Sequence, residues 1–249
     1  MRYSLTVIFF FYTFCCIAQA PVDSAVTSKT DVHLSSNSKK KIPWNWIIPG
    51  TLVGLGVLGN YNNNIIDRNE IKEERYEHLS AFHKHADDYA PYIPAATVYF
   101  LNLIGQKPKH DVVNYSVILL KSELIMVAVT TPLKKITHVL RPDSSAYNSF
   151  PSGHTAQAFL AANFLRHEYG YKSVWYSIAG YALATGVGVF RVANNRHWIS
   201  DVLAGAGIGI LSSELAYATH QYRWNKKKKI SIMPTFNGTE GGIYMVWKL

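Results

Sequence analysis

The chain has 249 residues, 48% of them hydrophobic, enough for one domain with a full-sized core. Twenty-five Lys and Arg against sixteen Asp and Glu leave a formal charge of +9, which suits an anionic partner: acidic lipid, phosphate ester or nucleic acid. The basic residues are scattered between apolar segments and form no recognisable nucleic-acid module. A mean hydropathy of −0.01 is too low for a chain lying wholly inside a bilayer; it fits short spans with sizeable wet segments, or a soluble helical protein.

Residues 1–18 form the pattern of a signal peptide: Arg2, then an apolar core from Val7 to Ile17, then a cleavage region at Ala18-Gln19-Ala20, with the cut placed after Ala18. Both cysteines, Cys15 and Cys16, fall here, so the remaining chain has no thiol and no Cys-based metal site. Residues 19–43 form a polar linker rich in Ser and Thr that includes Lys39-Lys40-Lys41. Trp44 to Gly59 is apolar with Trp at one end, as an interfacial anchor has, but with five glycines and prolines it is short for a span. From Ile71 to Tyr89 the apolar residues Ile71, Leu79, Phe82, Ala86 and Tyr89 keep roughly helical spacing, which predicts one amphipathic helix. Its His83, His85, Asp87 and Asp88 point to different faces and are expected on solvated surface, not on a metal.

Helices are predicted over Tyr92 to Gly105, Val112 to Thr131, Thr155 to Arg166, Ser173 to Arg191 and His197 to Thr219. Lys121 and Glu123 sit two apart inside an apolar run, cannot face each other, and need partners on neighbouring helices. Gly205-Ala206-Gly207-Ile208-Gly209 has the wrong spacing for a dinucleotide loop and no preceding strand; with Ala204 it makes a small-residue surface for close helix packing. Residues 226–249 are a basic tail, Lys226 to Lys229, followed by a period-two pattern with Asn237-Gly238 and Gly241-Gly242 that predicts a β-hairpin.

Three clusters carry the chemistry. The first runs from Lys134 to Arg141-Pro142, the second is Pro151-Ser152-Gly153-His154, and the third runs from Arg191 through His197 to Asp201. A phosphoryl group in transit spreads negative charge over three oxygens, so its catalysis is positioning plus electrostatics. Lys134, Arg141 and Arg191 supply three positive side chains, expected on separate loops; Arg forks onto two oxygens and Lys acts as a point charge. Ser152 and the Gly153 N–H stand where a helix begins, with free donors toward an anion. His197 and Asp201, four apart at a helix start, share a face, so the carboxylate can take the Nδ1 proton and leave Nε2 as a nucleophile. His154 is then left to protonate the departing oxygen and activate water.

In their order and spacing the clusters resemble the signature of the type 2 phosphatidic acid phosphatase (PAP2) and vanadium haloperoxidase superfamily: Lys-x6-Arg-Pro, Pro-Ser-Gly-His, and Ser-Arg-x5-His-x3-Asp. One position departs, because Phe190 stands where the signature has Ser before Arg191. The resemblance implies an all-α bundle of five to six core helices, embedded in a membrane and spanning residues 44–225. It assigns catalysis to His197 (a phosphohistidine), His154 and Asp201, phosphate binding to Lys134, Arg141, Ser152, Gly153 and Arg191, and neither metal nor cofactor. The implied substrate is a lipid phosphate monoester or diphosphate, of the phosphatidic acid, undecaprenyl diphosphate or lipid A type, and from Tyr92 onward the arrangement looks most like lipid A 4′-phosphatases. A soluble periplasmic acid phosphatase and a vanadium-dependent haloperoxidase are the alternatives within the same pocket chemistry; a non-catalytic membrane scaffold leaves the clusters unexplained. Basic residues in the loops away from the clusters, Lys107, Lys109, Arg166 and Lys172 among them, mark a cytoplasmic side and put the site on the periplasmic face of the inner membrane. Parity then requires Trp44–Gly59 to lie against the bundle without crossing.

Overall fold

A computed structural model describes residues 43–61, 67–79, 82 and 85–221, and the backbone of 230–236 and 241–247. The expected signal peptide and nearly all of the linker lie outside the described residues. Seven helices follow one another: α1 (Trp44–Tyr61), α2 (Arg68–Leu79), α3 (Ile93–Leu103), α4 (Val112–Thr137), α5 (Gly153–Tyr169), α6 (Val174–Ala193) and α7 (Ile199–Ala218). A single turn at Ala86–Tyr89 and a 3-10 turn at Ala90–Tyr92 lead into α3.

The bundle is built around α5 and α7. Helix α7 packs on α1, α4 and α5, while α5 packs also on α3, α4 and α6. The small residues of α7 explain how one helix serves three neighbours. A Cβ added to Gly209 would come within 2.1 Å of the Ala156 carbonyl oxygen, one on Gly205 within 2.5 Å of the Ser152 oxygen, and one on Gly207 within 2.5 Å of the Pro49 oxygen. From the other side, Gly56 of α1 meets the backbone nitrogen of Ala204 in the same way, at 2.6 Å. Backbone thus lies on backbone along both contacts, a packing only glycine permits. Around this spine, Val98, Tyr115, Ile118, Phe164 and Tyr169 form a fully buried cluster joining α3, α4 and α5.

Helix α4 is apolar on two sides. Tyr115, Ile118, Met126 and Thr130 face the bundle, while Val113, Val117, Leu120, Leu124 and Val127, at alternating spacings of four and three, are exposed. By length and composition α4 and α7 are each able to cross a membrane, α7 being mostly buried in the bundle.

Charged side chains are gathered inside the end of the bundle where α5 finishes. Glu168 is fully buried; its Oε1 accepts from the Tyr217 hydroxyl at 2.7 Å and lies 2.8 Å from His110 Nδ1, and its Oε2 accepts from the His110 N–H at 3.0 Å. Glu214 takes Arg166, Asn163 and His167, and the His167 ring stacks on Tyr217 with centroids 4.0 Å apart. Lys121 and Glu123 are likewise matched to neighbours: Lys121 donates to Thr219 Oγ1 at 2.6 Å and Glu123 accepts from Gln157 Nε2 at 2.5 Å.

Several boundaries differ from expectation. The single helix predicted from Ile71 to Tyr89 stops at Leu79, and the chain restarts in the turn at Ala86–Tyr89. Tertiary contact overrides the period here, since Phe82 leaves the α2 line to pack its ring on Phe190 of α6. Asp87, expected on a solvated face, is 1% exposed. Helix α4 runs six residues further than predicted, to Thr137, despite Pro132 within it, so Lys134 stands on its last turn and not on a loop. Helix α7 begins at Ile199, leaving His197 just outside it.

The spine yields a paired test. Gly209→Ala should destabilise the bundle by about 1–3 kcal/mol, because the methyl has backbone atoms in its way. Gly50→Ala on α1, where nothing lies within 4 Å of the new Cβ, should cost nothing and gain up to about 1 kcal/mol of helix propensity. Thermal unfolding of the two purified variants checks both signs.

Candidate active site

Four helix ends meet on one side of the bundle. Helices α4 and α6 finish there, bringing Lys134 and Arg191 on their last turns. Helices α5 and α7 start there, with Ser152 as the N-cap of α5 and Trp198 as that of α7. Cations at helix C-termini and free N–H groups at helix N-termini are each the favoured arrangement for the local dipole. Together they make a region rich in positive charge and donors.

The loop from His138 to Ser152 carries Arg141 into this region. It is shaped by backbone bonds from Arg141 N to the Ala146 oxygen and from Ser149 N to the Val139 oxygen. Asn148 ties two of the cations together: its carbonyl oxygen accepts from Lys134 Nζ at 2.8 Å, and its side-chain oxygen accepts from Arg141 Nε at 2.9 Å. The loop is also tethered to the third cluster, through Arg196 Nη1 on Asp143 at 3.0 Å and Trp198 Nε1 on the Leu140 oxygen at 2.9 Å.

The third cluster is folded tightly at the mouth of α7. His197 is 2% exposed and Asp201 not at all. His197 Nδ1 faces Asp201 Oδ2 at 3.4 Å. The predicted pairing is therefore present, but across the helix start instead of along its surface, since His197 precedes the N-cap and Asp201 is the third helical residue. Asp201 Oδ2 also accepts from the Trp198 N–H at 2.9 Å and from Ser149 Oγ at 2.5 Å, and Ser149 Oγ lies 3.5 Å from His197 Nδ1. Burial pulls the His197 pKa down to about 4, with Lys134 and Arg191 acting in the same direction and Asp201 opposing them. The imidazole is thus held neutral, within electrostatic reach of two cations.

The second cluster joins the others through α5. Ser152 N donates to the Asp201 carbonyl at 3.0 Å, locking the starts of α5 and α7 together. The Ser152 side chain is buried and shares a 2.9 Å hydrogen bond with Thr155 Oγ1, in which either hydroxyl can donate. Gly153 stays open: a Cβ there would meet only the Lys134 Cε, at 3.9 Å. His154 is part-exposed, with Nε2 3.5 Å from Asp88 Oδ1.

Arg191 is 6% exposed and its Nη1 is 2.9 Å from Asp87 Oδ2, while its Nε is buried with no hydrogen-bond partner among the described residues. Helix α2 closes one flank: Arg75 Nε donates to the Ala193 oxygen at 3.1 Å, and Arg68 reaches Ser200 Oγ at 3.1 Å beneath the Trp198 ring. A shallow cavity between α2 and the site is lined by Lys72, Arg75, Pro142, Asn195, His197 and Trp198.

All eight residues singled out in the sequence lie at this end of the bundle, with Lys134, Arg141, Ser152 and Arg191 each hydrogen-bonded to a neighbouring residue. Reading the clusters missed Asn148, Ser149, Asp87 and Asp88. The first two stand within four residues of the Pro-Ser-Gly-His cluster, so adjacency was their one signal. The Asp pair had none beyond being acidic next to an apolar segment.

Comparison with known proteins follows the same residues. Positions 113–225 match the PAP2 superfamily. Over 150 residues the chain is 39% identical to the lipid A 1-phosphatase of Porphyromonas gingivalis, covering 59% of this chain and 33% of that protein; the chain thus spans about a third of the relative's length. Among solved structures, LpxE of Aquifex aeolicus is 21% identical with a TM-score of 0.45, covering 59% of this chain and 93% of that one. A transmembrane PAP2-type phosphatidylglycerolphosphate phosphatase from Bacillus subtilis is 19% identical with a TM-score of 0.46, covering 71% and 99%.

Ser149 gives the test of this geometry. Ser149→Ala removes one of the two donors on Asp201 Oδ2 inside a fully buried site, at a cost of about 1–3 kcal/mol in the support of His197. The expected result is a fall in kcat/KM of about ten- to a hundred-fold with the fold intact by circular dichroism. Unchanged turnover would show that Asp201 does not depend on Ser149.

Proposed function

We propose that the protein is a phosphoric ester hydrolase of the PAP2 type that removes phosphate from a lipid in the cell envelope. The observation that carries this reading is the convergence of Lys134, Arg141 and Arg191 on a neutral, carboxylate-backed His197 at the joined starts of α5 and α7. In the proposed mechanism the three cations and the Gly153 N–H hold the non-bridging oxygens, and the unpartnered Arg191 Nε supplies a further donor. His197 Nε2 attacks phosphorus; the N–P bond forms as the bond to the leaving oxygen breaks, and His154 gives that oxygen a proton. Water then attacks, losing a proton to His154, and the N–P electron pair returns to His197 as inorganic phosphate departs. Asp201 holds the imidazole in orientation and steadies the charge it gains.

A lipid is favoured over a water-soluble ester because α4 turns an unbroken apolar stripe outward, where acyl chains lie more readily than water. The curated relative acts, by its name, on lipid A, which makes lipid A-type phosphates one of the substrates to test, beside phosphatidic acid and undecaprenyl diphosphate. The proposed setting is the inner membrane with the site toward the periplasm. No step requires a metal, and a region already holding Lys134, Arg141 and Arg191 would repel a divalent cation.

His197→Ala should abolish phosphate release while leaving the bundle folded, and Asp201→Asn should lower kcat by about 10²–10⁴-fold, since the ring remains but loses its orienting charge. Wild type quenched during turnover should yield an acid-labile phosphoenzyme that the His197→Ala chain lacks. Because the neutral ring is the nucleophile and its pKa is lowered to about 4, activity should persist well below pH 6 and fall as pH drops through about 4, once the substrate's own ionisation is allowed for. Near-normal turnover by His197→Ala would remove the nucleophile assignment.

A further inference from the structure

Phe190, the one departure from the superfamily signature, has a partner. Its ring meets that of Phe82 edge-on, with centroids 5.5 Å apart and planes at 71°. The turn at Ala86–Tyr89, which carries Asp87 and Asp88, also packs on α6. The two carboxylates do different things. Asp87 is buried; it takes Arg191 Nη1 at 2.9 Å and accepts from Asn194 Nδ2 at 3.0 Å, so it orients the guanidinium. Asp88 keeps 44% of its side chain exposed. Its Oδ1 lies 3.5 Å from His154 Nε2 and 3.5 Å from Arg191 Nη1, while Oδ2 is 3.5 Å from His85 Nδ1.

We propose that Asp88 is a specificity-determining residue on the leaving-group side of the site, selecting phosphomonoesters against diphosphates. The proposal deepens the phosphatase reading above and rests on it, because His154 is the group that faces the leaving oxygen. A carboxylate within 3.5 Å of the nitrogen that protonates that oxygen stands beside whatever the phosphate is leaving. When the leaving group is an alcohol, Asp88 meets a neutral fragment, and accepts hydrogen bonds from any free hydroxyl that fragment carries, as a sugar headgroup offers. When the leaving group is itself a phosphate, Asp88 meets an anion with no donor to share, and like charges at this separation disfavour binding and the transition state alike. Arg191 does not cancel this field, since its one positive charge is already met by the closer, buried Asp87.

The test measures kcat/KM of the purified full chain on phosphatidic acid and on a polyprenyl diphosphate, for wild type, Asp88→Asn and Asp88→Ser. Asp88 is half-exposed, so neither variant opens a core; the serine variant separates charge from the shape of the amide. Wild type should prefer the monoester, and both variants should raise the diphosphate-to-monoester ratio at least tenfold. A merely structural role would lower both activities together and leave the ratio in place, and a ratio within twofold of wild type in both variants overturns the proposal while leaving the phosphatase reading standing. A wild-type chain that releases phosphate from neither probe and from no lipid A phosphate overturns both.

Discussion

The near-contact of the α5 and α7 backbones is the constraint on which the rest of the molecule depends. Gly205 and Gly209 let α7 lie against the carbonyls of Ser152 and Ala156, with no side chain between them. That closeness brings the Ser152 N–H to the Asp201 carbonyl at 3.0 Å, and so fixes His154 and the open Gly153 relative to His197. Groups borne on two helix starts are held more firmly than groups borne on loops, and phosphoryl chemistry depends on placement to within fractions of an ångström. Helix α1 repeats the device on the other side of α7 through Gly56 and Gly207, so the central helix is clamped from two directions.

Onto this frame the electrostatics are arranged by contrast. The helix ends and the Lys134, Arg141 and Arg191 side chains make the region attractive to anions, while the deeply buried His197 is kept uncharged chiefly by loss of water, with Lys134 and Arg191 adding to it. Carboxylates enter in three places, each with its own purpose in the geometry. Asp201 backs His197, Asp87 orients Arg191, and Asp88 faces outward beside His154. Asn148 keeps Lys134 and Arg141 from drifting apart despite their like charge.

What could be read from the chain alone was set by how local each feature is. The clusters around Lys134, Pro151 and Arg191 are short-range patterns, and the bundle brings all of them to one end. The glycine run from Gly205 to Gly209 announced close packing because small residues have little other use in an apolar helix. Features that arise from distant parts of the chain were hidden. Asp87 is 104 residues from Arg191, and Ser149 is 52 from Asp201. No periodicity encodes either contact. Phe82 also stayed in step with the α2 apolar pattern while packing elsewhere, which is why one helix was expected where the chain breaks after Leu79. The Ser152–Thr155 hydrogen bond was likewise not legible, since the motif position gave no hint of that partner.

The carboxylates at the far end of the bundle bear on how such a chain assembles. Glu168 and Arg166 belong to α5 and Glu214 to α7, and each side's charge is answered largely by the other's helix or by the His110 loop. A carboxylate buried without a partner is costly, so Glu168 and Glu214 are satisfied only when α5 and α7 are docked on each other. The same docking joins the starts of the two helices through Ser152 and Asp201, so neither end of the bundle is complete without the other.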